Sequence, residues 1–245
     1  MCGRFVATAP PSELADYFQA VVNESVVGAE IEPSFNVAPT NIVHAVRAND
    51  GHREIEAMKW GLVPSWAKDP KIGSRMINAR ADTVATKPAF RSAIKKRRCL
   101  VPADGFYEWH KVEGQKNKQP YYITRNDSEP IVFAGLWEAW KPKPDTEAYD
   151  KAIADGGDPD NLPWLISCTL LTTDPNEEME RIHHRMPVLV PPSEWDRWLD
   201  PQNGVDAVGE LLAPAPDGLL KVTAVTTRVN NVRNKGAELI EAAAV

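Results

Sequence analysis

Cysteine is scarce and scattered in this chain. There are three among 245 residues, at positions 2, 99 and 168, with no CxxC pair. An odd count at wide spacing argues against a disulfide scaffold and supplies no zinc-ligand pattern; it fits a reducing cytosol. No apolar run nears the roughly 20 residues of a membrane span. No basic-then-apolar segment of the secretory kind opens the chain. The expectation from these absences is a cytoplasmic protein without a membrane partner. No Gly/Ser linker and no internal repeat divides the sequence, so a single domain over 1–245 is expected. An overall basic excess is missing too. The formal charge is −6, which taken alone argues against nucleic acid.

What is present points elsewhere. Hydrophobic residues make up 43% of the chain and include eight tryptophans, enough for a sizeable core. Twenty-one prolines favour short elements joined by many loops. The charge is unevenly spread. Residues 71–98 carry nine Lys or Arg against one Asp, whereas 142–163 carry six acids against two Lys. A basic stripe on an acidic protein can hold phosphate locally, although a run such as "KKRR" is by itself more often a solvated helix end. The acidic segment, rich in Pro, Gly and Asp, reads as a surface insertion without a part in chemistry.

Local patterns predict a short strand at "CGRFVA" and a Ser-capped helix over 12–22. A Pro-containing loop, "SFNVAPT", leads into a strand near 42–48, and "EIEAMKW" gives another that ends in a Gly/Pro turn. "CLVPADGFYEW" reads as strand, turn, strand. "YYITR", "IVFAGLWEAW", "WLISCTLLTT" and "LLKVTAVTT" are further strands. "KPAFRSAIKKRR", "PNEEMERI" and "PSEWDRWL" are short helices. Strands come in runs without strict βαβ alternation. The expected fold class is α+β: one domain with a mixed, mostly antiparallel, barrel-like sheet and flanking short helices.

Four stretches set reactive groups among Gly, Pro and aromatic residues: "MCGRF", "MINARAD", "ADGFYEW" and "RIHHRMPV". Removal of Met1 would leave Cys2 with an α-amine and a thiol on adjacent carbons. Such an aminothiol condenses with an aldehyde to an imine and closes to a thiazolidine, a stable ring that an internal cysteine cannot form. The α-amine, with an ordinary pKa of about 7.7–8.0, is partly neutral at pH 7. The same group can act as an N-terminal nucleophile on amides, and a cysteine there can also be a small apolar strand residue. Glu108, between Tyr107 and Trp109, is placed for poor hydration and general acid–base use; on an alternating strand it would face solvent instead. Asn78 can donate to an oxygen or hold the N-terminus, but Asn is also common in turns. In "IHHRMP" a histidine can shuttle a proton, and two neighbours in an extended segment would face opposite ways. The remaining histidines show no metal-ligand spacing, so neither metal nor cofactor is expected.

Taken in order, "MCGRF", "FNVAPT", "KWGLVPSW", "INARADT", "RCLVPADGFYEW", "FAGLWE", "HHRMPV" and "RVNNVRN" resemble the SRAP family, the SOS-response-associated peptidases, understood as abasic-site-processing proteins. The resemblance runs from Cys2 to about Arg233. It implies a single α+β domain around a barrel-like mixed sheet, and Met1 removed. It also implies a Cys2 thiazolidine with the open aldehyde of an abasic site in single-stranded DNA, a covalent protein–DNA linkage that shields the lesion. Position by position, it carries the catalytic roles onto Cys2, Asn78, Glu108 and His183, with His184 at the variable position. DNA-facing roles fall on Arg4, Asn36, Trp66, Arg80 and Arg185. Asp82 stands where Glu is frequent in the family, a mild departure. The partner implied is single-stranded DNA containing abasic sites, bound by a monomer in the cytoplasm and at the nucleoid. The family's older name keeps open a hydrolase reading, an N-terminal-cysteine peptidase or amidase that trims its own Met1. A third class is a noncovalent reader of single-stranded DNA.

Overall fold

The computed structural model describes residues 2–27, 29, 31–114 and 117–243. Its strands are β1 (Arg4–Ala7), β2 (Ala20–Val22), β3 (Ser34–Val37), β4 (Ile42–Asn49), β5 (His52–Trp60), β6 (Asn78–Arg80), β7 (Arg98–Ala103), β8 (Gly105–His110), β9 (Gln119–Arg125), β10 (Ile131–Trp140), β11 (Leu165–Thr173), β12 (Met186–Pro187) and β13 (Leu220–Ala224). They form two sheets. One runs β13-β9-β8-β1-β3, all antiparallel. In the other, β5-β4-β7-β10-β11 pair antiparallel in turn, and β11 then pairs parallel with β5, closing a five-stranded barrel. The α+β, barrel-containing single domain is the fold class that the run-wise strand pattern predicts.

Alternation along the barrel strands sorts side chains into two cores. Val46, Leu100, Ala134, Leu136 and Leu171 face outward and are covered by helices through Leu14, Phe18, Trp195 and Trp198. Their neighbours Ala45, Cys99, Val101, Phe133 and Leu170 face the other way and meet Cys2, Phe5, Phe106 and Ile123. Edge-to-face contacts of Phe5 and Phe106 with Phe133 tie β1 and β8 to the barrel. The opposite face of the five-stranded sheet, with Val6, Tyr107 and Tyr122, is covered by Val225, Val229 and Leu239 near the C-terminus.

Several elements differ from the sequence expectation. The helix predicted over 12–22 spans Pro11–Phe18, with Pro10 and not Ser12 in the cap position, and stops where Gln19 turns left-handed (φ 49). Ala20–Val22 then pair in parallel with β5, because two adjacent valines suit a sheet edge better than a helix surface. "SFNV" is not loop but β3, paired with β1, and "NAR" is β6, paired with β11. The acidic 142–163 segment contains a helix, Glu147–Ala154, capped by Thr146, with no fully buried residue. Among the described residues no helix is long and apolar enough to cross a membrane.

The turn after β5 is fixed by glycines. Gly61 has φ +130, and a Cβ there would lie 2.6 Å from the Gly73 carbonyl oxygen; a Cβ on Gly73 would lie 2.4 Å from that of Gly61. This mutual approach brings residues 61–63 against the 70–75 turn and lets the Leu62 N–H donate to the Met76 carbonyl. Both the left-handed backbone and the clash oppose any side chain at position 61. Gly61→Ala is expected to destabilise the fold by about 3 kcal/mol, seen as a melting-temperature drop of roughly 6–12 °C by circular dichroism. A drop under 2 °C would show that the turn relaxes freely.

Candidate active site

Cys2 sits two residues before the run of β1 that pairs with β8, and it is fully buried. Asn78 opens β6, whose parallel pairing with β11 sets Asn78 opposite Leu170. The Ile77 carbonyl just before it is gripped twice, by the Trp60 indole N–H (2.9 Å) and by the Leu170 N–H (3.1 Å). So held, the Asn78 Nδ2 donates to the Cys2 carbonyl at 2.8 Å. Its other amide atom, Oδ1, is buried with no hydrogen-bond partner among the described residues. A buried acceptor left open in this way normally awaits a donor from a ligand or water.

Glu108 lies on β8 at 4% exposure, between Tyr107 and Trp109. Its charge reaches both other reactive groups. Burial first, and the Glu108 carboxylate second, push the Cys2 thiol far above its ordinary value of 9.0, so the thiol is fully protonated at neutral pH. Burial holds the His183 ring below its ordinary value of 6.5; the Glu108 carboxylate opposes that shift and His184 reinforces it. Four groups remote in sequence thus converge: Asn78 by a direct hydrogen bond to Cys2, and Glu108 and His183 electrostatically.

His183 comes from the bend before β12, which hangs on β11 at Thr172 and Thr173. The Arg185 N–H donates to Nδ1 at 3.1 Å, while the Arg185 carbonyl lies 3.2 Å from the same nitrogen. A donor and an acceptor at one ring nitrogen serve both protonation states, a suitable setting for a proton shuttle. The two histidines do not face opposite ways. His184 is exposed, but its ring stacks on His183 at 4.3 Å because the segment bends here and is not extended.

The five residues expected to face DNA divide sharply. Trp66 is 52% exposed, at the rim of a cleft of about 440 Å³ lined also by Lys68, Lys71 and Arg75. Arg80 is exposed and forked onto Asp82, with Nη2–Oδ2 at 2.6 Å and Nε–Oδ1 at 3.2 Å. Arg185 is buried; it donates to Asp174 (3.0 Å) and the Thr172 carbonyl (3.1 Å) and lies 3.9 Å from Asp82. Arg4 donates to the Asn36 Oδ1 (2.8 Å) and the Val229 carbonyl (2.9 Å). Asn36 has no exposed surface, and its Nδ2 lies within 3.0–3.2 Å of the Val229, Asn231 and Asn234 carbonyls. Its side chain is thus turned to the 229–234 loop.

The basic stripe is likewise not one surface. Lys95 and Lys96 are exposed, but Arg97 pairs with Glu138, and Arg98 is buried among the carbonyls of Ile94, Lys95, Trp198, Asp200 and Asn203. Sequence reading also missed Asp174 as partner of Arg185 and Asn230 as acceptor of the Trp109 indole N–H (2.7 Å). No spacing signal joins residues so far apart in the chain. Among the described residues no cluster of His, Cys, Asp and Glu is arranged to hold a metal ion.

A family profile described as SOS response associated peptidase (SRAP) matches residues 1–232. The chain is 37% identical over 243 residues to the abasic site processing protein YoaM of Bacillus subtilis, spanning 99% of this chain and 98% of that one. It is 33% identical over 234 residues to the abasic site processing protein HMCES of Pongo abelii, spanning 85% of this chain and 64% of that one. A crystal structure of a protein from Bacteroides thetaiotaomicron shares the fold, with a TM-score of 0.81 at 24% identity over 99% of this chain and 100% of that chain.

The electrostatic linkage of His183 has a measurable sign. Its midpoint, followed by proton–carbon NMR of the ring, is expected below 6.5, so the neutral ring dominates at pH 7 and is lost only on acidification past that lowered midpoint. Glu108→Gln removes the one carboxylate that favours the charged ring and is expected to lower the midpoint further. A midpoint that rises on this substitution would separate the two groups.

Proposed function

Because the chain belongs to the SOS response associated peptidase family, we propose that it processes abasic sites in single-stranded DNA by covalent capture through Cys2. The observation that carries this reading is the convergence of Asn78, Glu108 and His183 on a cysteine that becomes N-terminal once Met1 is lost. Met1 itself lies outside the described residues. Hydrolysis of the Met1–Cys2 peptide bond consumes one water and leaves an α-amine beside the thiol.

An abasic sugar interconverts between a closed hemiacetal and an open aldehyde. His183, neutral at pH 7, takes the anomeric hydroxyl proton as the ring opens and returns it to the ring oxygen. The Cys2 amine adds to C1′ and gives a carbinolamine. Loss of water gives an imine, with the Glu108 carboxylate relaying the proton leaving nitrogen to the departing hydroxyl. The same carboxylate then takes the thiol proton as sulfur adds to the imine carbon and passes it to the nitrogen. One C–N and one C–S bond form, one water leaves, and no redox partner is required. Asn78 holds the Cys2 carbonyl through Nδ2 and offers its open Oδ1 to the amine. Trp66 supplies a face for stacking beside the lesion, and Arg80 is the exposed cation for phosphate.

A single strand is the favoured form. In a duplex C1′ lies in the stack, and extrusion costs a few kcal/mol; the net charge of −6 also disfavours a second row of phosphates. The peptidase reading shares Cys2 but needs neither the exposed aromatic nor the cations.

Incubated with abasic single-stranded oligonucleotide, the protein is expected to give a band that survives a denaturing gel. Cys2→Ala removes that band while noncovalent binding persists. Cys2→Ser keeps the amine and gives an adduct only with borohydride present. A stable adduct from Cys2→Ala would overturn the thiazolidine. Annealing the complementary strand is expected to slow capture at least tenfold, and equal rates would indicate that the protein flips the lesion out of a duplex.

A further inference from the structure

The "RVNNVRN" stretch is used by none of the chemistry above, yet it is anchored by several hydrogen bonds. Val229, Asn231 and Asn234 turn their carbonyls onto the buried Asn36 amide. Arg4 also donates to the Val229 carbonyl. The Asn234 side chain donates to the Arg228 carbonyl at 2.8 Å, and the Arg233 N–H to the Asn231 Oδ1 at 3.1 Å. Lys235 reaches the Asn36 carbonyl, and the Phe35 N–H donates to the Lys235 carbonyl.

The consequence is directional. A loop whose carbonyls are gathered inward presents its remaining side chains outward, and Arg228, Asn230, Val232 and Arg233 are all exposed. Among the described residues neither Arg228 nor Arg233 forms a salt bridge, whereas the exposed Arg80 is held by Asp82. Val232 is 45% exposed, a large apolar side chain between two free cations. Residues 227–235 hold three cations and no acid in a chain of charge −6. The anchors come from the site's own strands: Arg4 lies two residues beyond Cys2, and Trp109, which donates to Asn230 at 2.7 Å, follows Glu108.

We propose that the 228–233 loop is a second wall of the single-strand path, with Arg228 and Arg233 taking two backbone phosphates and Val232 resting against a base or sugar between them. Asn36 is a positioning residue that presents this wall. The inference rests on the reading of the protein as a binder of single-stranded DNA. Phosphodiester fits better than an acidic peptide because two cations flanking an apolar contact match the alternation of charge and base along one strand. Fixed cations beside an apolar contact give affinity without sequence preference, as a lesion of arbitrary context requires.

The test uses intact, lesion-free single-stranded oligonucleotide, so that it reads binding apart from capture. The slope of log affinity against log salt is expected to fall by about 1.4 in the Arg228→Ala/Arg233→Ala double variant, since each single-strand phosphate contact contributes about 0.7. Affinity at low salt should drop at least tenfold. Arg228→Lys/Arg233→Lys should restore most of the slope. Lys151→Ala, on the remote helix where Lys151 pairs with Asp155, should leave the slope unchanged. Asn36→Ala, checked for folding by its melting curve, should lower affinity with the slope reduced in the same sense. An unchanged slope in the double alanine variant overturns the proposal even if covalent capture is intact. Loss of capture with a normal slope loss would overturn the covalent reading and leave the loop's role standing. Recovery of affinity by an acidic peptide in place of DNA would assign the wall to a protein partner and also overturn it.

Discussion

The hydrogen bond from the Asn78 amide to the Cys2 carbonyl joins two sheets whose facing surfaces are packed largely through apolar side chains. Asn78 belongs to the barrel side, through β6 and β11, and Cys2 to the five-stranded sheet, through β1. The bond depends on register. Ala79, next to Asn78, is buried, while Arg80 is exposed. A shift by one residue would turn the amide away and put Arg80 into the buried place of Ala79. The register is set upstream by the Gly61–Gly73 approach and by the two donors on the Ile77 carbonyl. A glycine turn with no chemistry of its own therefore governs where the amide lands.

The fold class was legible because strands in runs, without helical crossovers, leave few alternatives to an antiparallel or barrel-like sheet. Closure was not legible: it rests on two parallel pairings, Ser167 with Lys59 and Cys168 with Trp60, which join segments over a hundred residues apart. The helix predicted over 12–22 overran because propensity cannot see the β5 edge that captures Ala20–Val22. At the site, residue types and ordered motifs pointed to Cys2, Asn78, Glu108 and His183. Their roles are proposals built on that pattern, and only tertiary structure brings the four together. Asn36 illustrates the limit. Its sequence context groups it with DNA-facing residues, and nothing in that context shows that it is buried and bonded to the Val229, Asn231 and Asn234 carbonyls.

Charge follows the same logic. A count of nine cations in 71–98 suggests one electropositive strip, yet Arg98 is spent on backbone carbonyls, Arg97 on Glu138 and Arg80 on Asp82. Exposed pairs such as Arg80–Asp82 are weak and exchange readily for a phosphate. Arg185 is different, since it is buried and fixed to Asp174 and the Thr172 carbonyl. Removing a partner there would strand a charge in low dielectric. Its contribution is to the shape of the His183 bend, through its backbone N–H and carbonyl on Nδ1.

The burial of Cys2 bears on how a reactive thiol avoids indiscriminate chemistry. All three cysteines are buried, and burial alone pushes Cys168 up to about 12. Burial likewise pushes the Cys2 thiol well up, and the Glu108 charge acts in the same direction. A protonated thiol is a poor nucleophile toward oxidants and general electrophiles. On the proposed chemistry this is an advantage, since the amine attacks first and needs no thiolate. Sulfur is called on only after an imine stands beside it. A protonated imine is a far stronger electrophile than an aldehyde, and the neighbouring Glu108 carboxylate can then accept the thiol proton. The same carboxylate that suppresses thiolate in the resting site becomes its base once positive charge appears on nitrogen. On this proposal reactivity is tied to the presence of the aldehyde, and one buried acid, held on the strand paired with β1, performs both tasks.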